Sequence, residues 1–501
     1  DVYENQELPI AASDVDCILL THAHIDHSGL IPLMYVNGFR GQVYSTSATA
    51  QLCEIMLRDS AHIQMFEAEW RNRKAARSGG KLKEFVPLYD MDAAVNVCKQ
   101  FVGCEYDRVY DIAEGIKIRF TDVGHLLGSA SIEVWATEKT ENGDVTEKIV
   151  FSGDIGNINK PIIKDPKHVR DADYVVMEST YGNRSHGGTP NYVEDLTDIF
   201  KRTFERGGNV VIPSFAVGRT QELLYIIRKI KEDNLVGRDF DVYMDSPLAI
   251  EATNIFIKNV ESCFDDEAVE LVRKGINPLS FPGLKYATTG DESKQINFDP
   301  NPKVIISSSG MCEAGRIRHH LKHNLWRPEC TIVFVGYQAV GTTGRIIVDG
   351  AEEIKLFGEP IQIKAEIVQL KGSSGHADKD GLLCWINAFD TKPKKVFVVH
   401  GEDSVCDEFT ECLKEEYGYD AMAPYTGGSY DLIADRVISE GVKERKTRRT
   451  TSTQRGKTVF DRLVAAGKRL MTVITHNEGG TNKDLAKFTD QINALCDKWD
   501  R

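Results

Sequence analysis

Five things are absent or scarce in this chain of 501 residues. None of its 11 cysteines forms a C-x-x-C pair, which removes finger-type thiolate zinc sites. Several lie in apolar runs such as DCILL and LLCWI, as reduced core residues do and disulfide frames do not. No apolar run approaches the roughly 18 to 20 residues of a membrane helix. The opening DVYENQELPIAAS has neither the basic nor the apolar stretch of an export signal. A cytoplasmic protein with no membrane partner is therefore expected. Positive charge is short as well, with 61 Lys and Arg against 75 Asp and Glu and a net charge of −14. A nucleic acid would have to be drawn by a local basic groove or by bound cations rather than by the overall field. Finally, there is no internal repeat.

What is present is an ordinary globular balance, 41% hydrophobic and 27% charged. At roughly 100 to 200 residues per domain this length predicts two or three domains. From residue 13 to about 180, short β-rich runs alternate with helical ones: DCILLTHA, GQVYST, IKIRFTDVG, SIEVWAT, KIVFSGD and YVVMEST. Between them, residues 48 to 101 predict two helices about an SGGK turn at Ser78 to Lys81. Near residue 185 the rhythm becomes strand, turn, helix, as in NVVIPSFAVGRTQELLYIIRKI and KVIISSSGMCEAGRIRHHL, the pattern of parallel βα units. Strand-rich character returns from about 345 with RIIVDG, AEIVQL and KVFVVHG. The reading is an α/β domain (residues 1–184 and 345–440) interrupted by an α/β insertion (185–344). A tail (441–501) follows, with a basic run from Lys443 to Lys457 and two amphipathic helices. The run reads as solvated linker or RNA contact, and the helices as docking on the domain or on a second copy, which makes a homodimer possible.

The chemistry gathers at strand ends, where catalytic groups collect. His22, His24, Asp26 and His27 form H-x-H-x-D-H directly after CILLT. Alternation sends His22 and His24 to one side, and the following turn lets Asp26 and His27 face a second point, a two-metal spacing. His125 in GHLLGSA adds an imidazole for one ion. Asp154 in SGDIGN adds a carboxylate able to bridge two. Six of the 13 histidines (22, 24, 27, 125, 376 and 400) share this strand-end setting.

With these motifs, HAHIDH, GHLLGSA and FSGDIG, the chain resembles metallo-β-lactamase-fold enzymes. Glu178 in MESTYGNR, His376 in GSSGHAD and His400 in VFVVHGE narrow the likeness to the β-CASP subfamily of nucleases, the group of RNase J and the cleavage and polyadenylation specificity factor endonuclease. The resemblance covers nearly all of residues 13 to 440. It implies a metallo-β-lactamase αββα sandwich with an inserted α/β β-CASP domain having a parallel sheet. It also implies two Zn2+ ions, one on His22, His24, His125 and Asp154, the other on Asp26, His27, Asp154 and His400. A hydroxide shared by the ions would be the nucleophile, and His376, held by Glu178, the general acid; a turn cap is the alternative role for Glu178. In this family a histidine at the His400 motif accompanies RNA substrates, whereas DNA-repair members carry valine. Family members also open with a two-strand hairpin, and only about a dozen residues precede the first strand here, so a short first sheet or a missing start is expected.

Phosphate contacts are expected at Arg219, where PSFAVGRTQELL runs from strand to turn to helix, and at Ser374 beside His376, with Ser373 next to it. Ser309 and Arg316, in SSSGMCEAGRIRHH, are further candidates, with helix capping or inter-domain pairing as the alternative. The expected activity is zinc-dependent hydrolysis of single-stranded RNA in processing or decay, by endonucleolytic or 5′-exonucleolytic cuts. Competing readings are a DNA-directed β-CASP nuclease, a lactone- or thioester-cleaving metallohydrolase, and a non-catalytic RNA-binding scaffold. The last predicts lost ligands, and none is lost.

Overall fold

The computed structural model describes residues 8–77, 85–141, 143–187, 191–370, 374–443, 458–479 and 481–499. The SGGK turn, Ser373 and nearly all of the basic run (444–457) lie outside the described residues.

Two sheets pack face to face in the first half of the chain. The smaller holds three parallel strands, Cys17–Leu19, Gln42–Thr46 and Phe101–Cys104. The larger holds seven. Val109–Ala113, Ile116–Asp122, Ala130–Thr140 and Gly143–Phe151 form an antiparallel meander, and Tyr174–Met177, Lys395–Val398 and Ala421–Met422 continue it in parallel. Alternation explains the layering: Leu19, Tyr44 and Cys104 of the small sheet meet Ile118, Phe120, Ile132 and Val134 of the large one in a shared core. The opposite face of the large sheet buries Val150, Val175, Met177, Val396 and Val398 under Trp385, Ile386, Phe409 and Leu413. Those four come from the helices Lys379–Ile386 and Asp403–Glu415. The other outer layer is the 31-residue helix Ser47–Arg77 with Met91–Cys98. These are the two helices expected between 48 and 101, and the αββα sandwich is complete.

The insertion is an all-parallel, six-stranded sheet in the order Leu284–Tyr286, Asp241–Asp245, Lys303–Ser307, Val210–Pro213, Thr331–Phe334, Glu366–Gln369. Its central strands are buried throughout, as a sheet covered on both faces requires. Two expectations change here. RIIVDG belongs to a helix, Thr343–Val348, whose start Thr342 caps by accepting from the Arg345 amide at 3.3 Å. AEIVQL pairs with Thr331–Phe334 and closes the inserted sheet. The chain therefore rejoins the large sheet at Lys395–Val398, not near 345. A short apolar run does not reveal which sheet it joins, because both present the same buried pattern.

The tail forms helices Thr458–His476 and Asn482–Trp499, the first packing on the turn Ala12–Asp14. All 11 cysteines are free. Among the described residues no helix is long and apolar enough to cross a membrane.

Candidate metal centre

The strand ends of the large and small sheets converge on one point. After Cys17–Leu19 the chain bends at Thr21 and enters the short helix Ile25–Ser28 at its N-cap His24, carrying Asp26 and His27 to the far side. His125 is fixed in its turn by Ser129, whose Oγ accepts from the amides of His125 and Leu126 at 3.0 and 3.1 Å. Gly156 lets the Asp154 loop slide against this turn, since a Cβ there would meet the Gly124 carbonyl oxygen at 1.9 Å.

Two donor groups result. His24 Nδ1 lies 3.1 Å from His22 Nε2 and 3.1 Å from His125 Nε2. Asp154 Oδ2 stands 3.3 Å from His22 Nε2 and 3.6 Å from His125 Nε2. The other Asp154 oxygen, Oδ1, stands 3.3 Å from His27 Nε2 and 3.6 Å from His400 Nε2. Asp26 Oδ2 completes that group at 3.7 Å from His27 and 3.6 Å from His400, and the two Nε2 atoms are 3.2 Å apart.

These groups fit a cation better than they fit one another. Donors around a tetrahedral zinc at about 2.0 to 2.1 Å sit about 3.3 Å apart, which is the spacing of the first group. Three imidazole nitrogens and a carboxylate oxygen aimed at one point hold too few protons to bond pairwise. Asp154 Oδ1, moreover, is buried and has no hydrogen-bond partner among the described residues, a cost of about 1 to 3 kcal/mol or more unless positive charge sits beside it.

Electrostatics divide the site. Burial drives His22, His24 and His125 toward the neutral form, His24 to about 3 and His125 well below the ordinary imidazole value, with neighbouring imidazoles adding to the effect for the last two. Burial alone would raise Asp154, but the His22 and His27 rings around it hold it far below the usual carboxylate range. His400 goes the other way: burial opposes its charge, yet the bond to Asp26 and the fields of Asp154 and Glu178 lift it to about 9.

Beside the cluster, His376 Nδ1 lies 3.2 and 3.1 Å from the two Glu178 oxygens, and its Nε2 lies 3.9 Å from Asp154 Oδ2. Buried Glu178 also accepts from the amides of Ile155 at 2.5 Å and Thr180 at 3.3 Å, so both expected roles, partner and turn cap, coexist. Burial works against charge on His376, but Glu178 and then Asp154 outweigh it and raise its pKa. Ser374 Oγ accepts from the His376 amide at 3.1 Å.

Of the expected phosphate contacts, two come together. Arg219 and Ser374 line one cavity of about 640 Å³ between the sandwich and the insertion, next to Gly156 and Lys160. Arg219 pairs with Glu222 at 2.5 Å, and Glu222 with Lys160 at 3.1 Å. The other two lie elsewhere. Arg316 Nη1 donates to Asp245 at 2.7 Å and to the Ala287 carbonyl at 3.0 Å, and its Nη2 donates to the Thr288 carbonyl at 2.8 Å. Ser309 Oγ bonds within its own loop, to Ala314. Both side chains are engaged inside the insertion, anchoring its loops, which is neither helix capping nor inter-domain pairing.

Sequence reasoning passed over Lys160, Ser129 and Thr180. Thr180 had a signal: like the expected site residues, it stands just past the end of a strand, Tyr174–Met177.

Comparison with known proteins agrees with this architecture. The Beta-Casp domain model matches residues 220–347, and the model described as a Zn-dependent metallo-hydrolase RNA specificity domain matches 360–424. The chain is 34% identical over 390 residues to "Ribonuclease TTHA0252" of Thermus thermophilus, covering 78% of this chain and 82% of that one. It is 31% identical to an "RNase J-like protein" of Methanocaldococcus jannaschii, over 77% of this chain and 82% of that one. It is 32% identical to "Transcription termination factor FttA" of Methanosarcina mazei over 82% of this chain, where it spans 62% of the relative's length. With a ribonuclease matched over four-fifths of its length, an inserted parallel sheet and a histidine–carboxylate cluster at the strand ends, the chain belongs to the β-CASP family of metallo-β-lactamase-fold ribonucleases.

Proposed function

We propose that this nuclease hydrolyses phosphodiester bonds of single-stranded RNA with two zinc ions, in RNA processing or decay. The observation that carries the reading is Asp154, whose two oxygens face two separate donor groups. His22, His24, His125 and Asp154 would hold one ion, and Asp26, His27, His400 and Asp154 the other. Bound there, the pair supplies Lewis acidity that makes water nucleophilic near neutral pH and offsets charge on a phosphoryl group under in-line attack.

The chain's own residues do the rest. Glu178 is pinned by two amides and faces His376 Nδ1, so Nδ1 carries a proton toward it and Nε2 is left to face the cluster. Glu178, and then Asp154, favour a second proton on His376, and Nε2, facing the cluster, is placed to donate it to the leaving oxygen. Arg219, Lys160 and Ser374 line the path for the RNA backbone. Arg316 and Ser309 shape the insertion rather than touch substrate. His400, by the family association with RNA, supports RNA over DNA. Exposed Leu463, Met471, Leu495 and Trp499 on the tail helices support a second copy as their cover, and eleven free cysteines support a reducing, cytoplasmic setting.

A second reading, nuclease action in transcription termination, is favoured by the likeness to the archaeal factor. The test is a zinc assay alongside digestion of 5′- and 3′-labelled single-stranded RNA and DNA, with a lactone and a thioester as controls. We expect about two zinc ions per chain and cleavage of RNA. Turnover of the lactone or thioester with intact RNA would overturn the reading, and equal cutting of DNA would remove the RNA preference. RNA release from a stalled transcription complex separates termination from processing.

A further inference from the structure

One tripeptide serves two histidines. The strand Tyr174–Met177 ends in Glu178, Ser179 and Thr180, and the first and third each meet an Nδ1. Glu178 meets that of His376. Thr180 Oγ1 lies 3.2 Å from Nδ1 of His400 and 3.3 Å from the His400 carbonyl oxygen. A carbonyl can only accept, so the single hydroxyl hydrogen goes to it, and Nδ1 must donate to the hydroxyl lone pair. Nδ1 is thereby committed to Thr180, and Nε2 is the nitrogen left to exchange its proton for a cation. That atom points at the second donor group, 3.2 Å from His27 Nε2 and 3.6 Å from both Asp26 and Asp154.

The backbone shows the same grip. His400 has φ of 51°, a conformation most side chains avoid. It is held there by the Ser179 amide, which donates to the His400 carbonyl at 3.1 Å, and by Ser179 Oγ, which donates to the Val399 carbonyl at 3.0 Å. Gly401 passes so close that a Cβ would stand 2.6 Å from Ser179 Oγ. Parallel pairing of Tyr174–Met177 with Lys395–Val398 makes these two strand ends neighbours.

We propose that Thr180 is a positioning residue that sets the tautomer and aim of His400, and so the affinity of the second cation position. This rests on the two-ion reading above. Removing a partner that orients a ligand imidazole weakens metal binding by about 10- to 100-fold. The first position has its own supports, such as the Gly375 carbonyl 3.2 Å from His125 Nδ1, and does not depend on Thr180.

The test is zinc titration of the metal-stripped full chain against a chromophoric chelator, in the wild type, Thr180→Val and Thr180→Ser. Valine keeps the shape and loses the hydroxyl; serine keeps the hydroxyl. The wild type should bind two equivalents. Thr180→Val should hold the first as the wild type does and the second about 10- to 100-fold more weakly, and Thr180→Ser should recover most of that loss. If the wild type binds one equivalent, the two-ion reading fails and this proposal with it. If the wild type binds two and Thr180→Val matches it, the Thr180 role alone is wrong. Equal weakening of both equivalents, or serine behaving as valine does, would mean packing rather than orientation and would also overturn it.

Discussion

The two donor groups that share Asp154 are built differently. His22 and His125 are buried, and the three imidazoles of the first group are driven neutral, so their lone pairs are presented without a proton in the way. In the second, Asp26 is 66% exposed, His400 is a third exposed, and the surrounding carboxylates favour a proton on His400. The inner group is preformed by burial and by turn hydrogen bonds such as those from the His125 and Leu126 amides to Ser129. The outer one is more open to solvent and depends on loop residues that hold its members in place.

The largest expected effect comes from removing what the two groups share. Asp154→Ala should release both ions on dialysis and cut RNA cleavage by at least about 10³-fold, several kcal/mol of transition-state stabilisation. Metal analysis with single-turnover rates checks it, and two retained zincs would end the bridging assignment. His400→Ala breaks the symmetry instead. One tightly held equivalent should survive it and none should survive His22→Ala; the reverse order would invert the comparison. Next in size is His376→Ala. It should lower cleavage by about 10² to 10⁴-fold while leaving metal content unchanged, and a fully active variant would take His376 out of the acid role.

His22 and His24 were legible in the sequence, because H-x-H directly after an apolar strand puts both imidazoles at one strand end. His125 and Asp154 were legible as turn residues of the right chemical type. The pairing of Glu178 with His376, 198 positions apart, was not; periodicity carries no long-range information, and only the family resemblance joined them. The destination of AEIVQL failed for the same reason. Arg316 misled differently. A guanidinium after a glycine-rich turn suggests an anion, but its partner, Asp245, sits 71 positions upstream.

That contrast between Arg219 and Arg316 gives a smaller pair of tests. Asp245 is fully buried and accepts from Arg316, His320 and Ser293. Arg316→Ala leaves part of a buried charge uncompensated and should cost about 3 kcal/mol of stability, seen as a lower unfolding midpoint with KM for RNA little changed. Arg219→Ala, at the cavity wall, leaves Glu222 its second partner, Lys160 at 3.1 Å, and should chiefly raise KM, by about tenfold, one phosphate contact's worth. An exchange of these phenotypes would return Arg316 to the RNA path.

The last comparison is between Asp154 and Asp122, two buried carboxylates at one sheet, Asp122 at the end of the strand Ile116–Asp122 and Asp154 in the loop after Gly143–Phe151. Asp154 is ringed by imidazoles and stays charged. Asp122 accepts one bond, from the Gly124 amide at 3.0 Å, while the nearby Lys164 and Lys167 amines are turned to the Ser262 carbonyl and to Asp107. Burial therefore wins and pushes Asp122 up to about 7, against the partial relief of that bond and the lysines' field. An unfolded aspartate ionises near about 3.9. Between about pH 4 and 7 the folded chain thus holds a proton that the unfolded chain has lost, and stability falls as pH rises through this window. Above about 7 the folded state bears the full cost of the buried charge, on the order of 4 kcal/mol. Asp122→Asn is neutral at every pH and keeps an oxygen for the Gly124 amide. It should therefore raise the unfolding midpoint by several degrees at pH 8 and by little at pH 5. Calorimetry with chelator present in both variants removes the metal's own pH dependence, and an equal gain at both pH values would show that Asp122 is already ionised throughout that range.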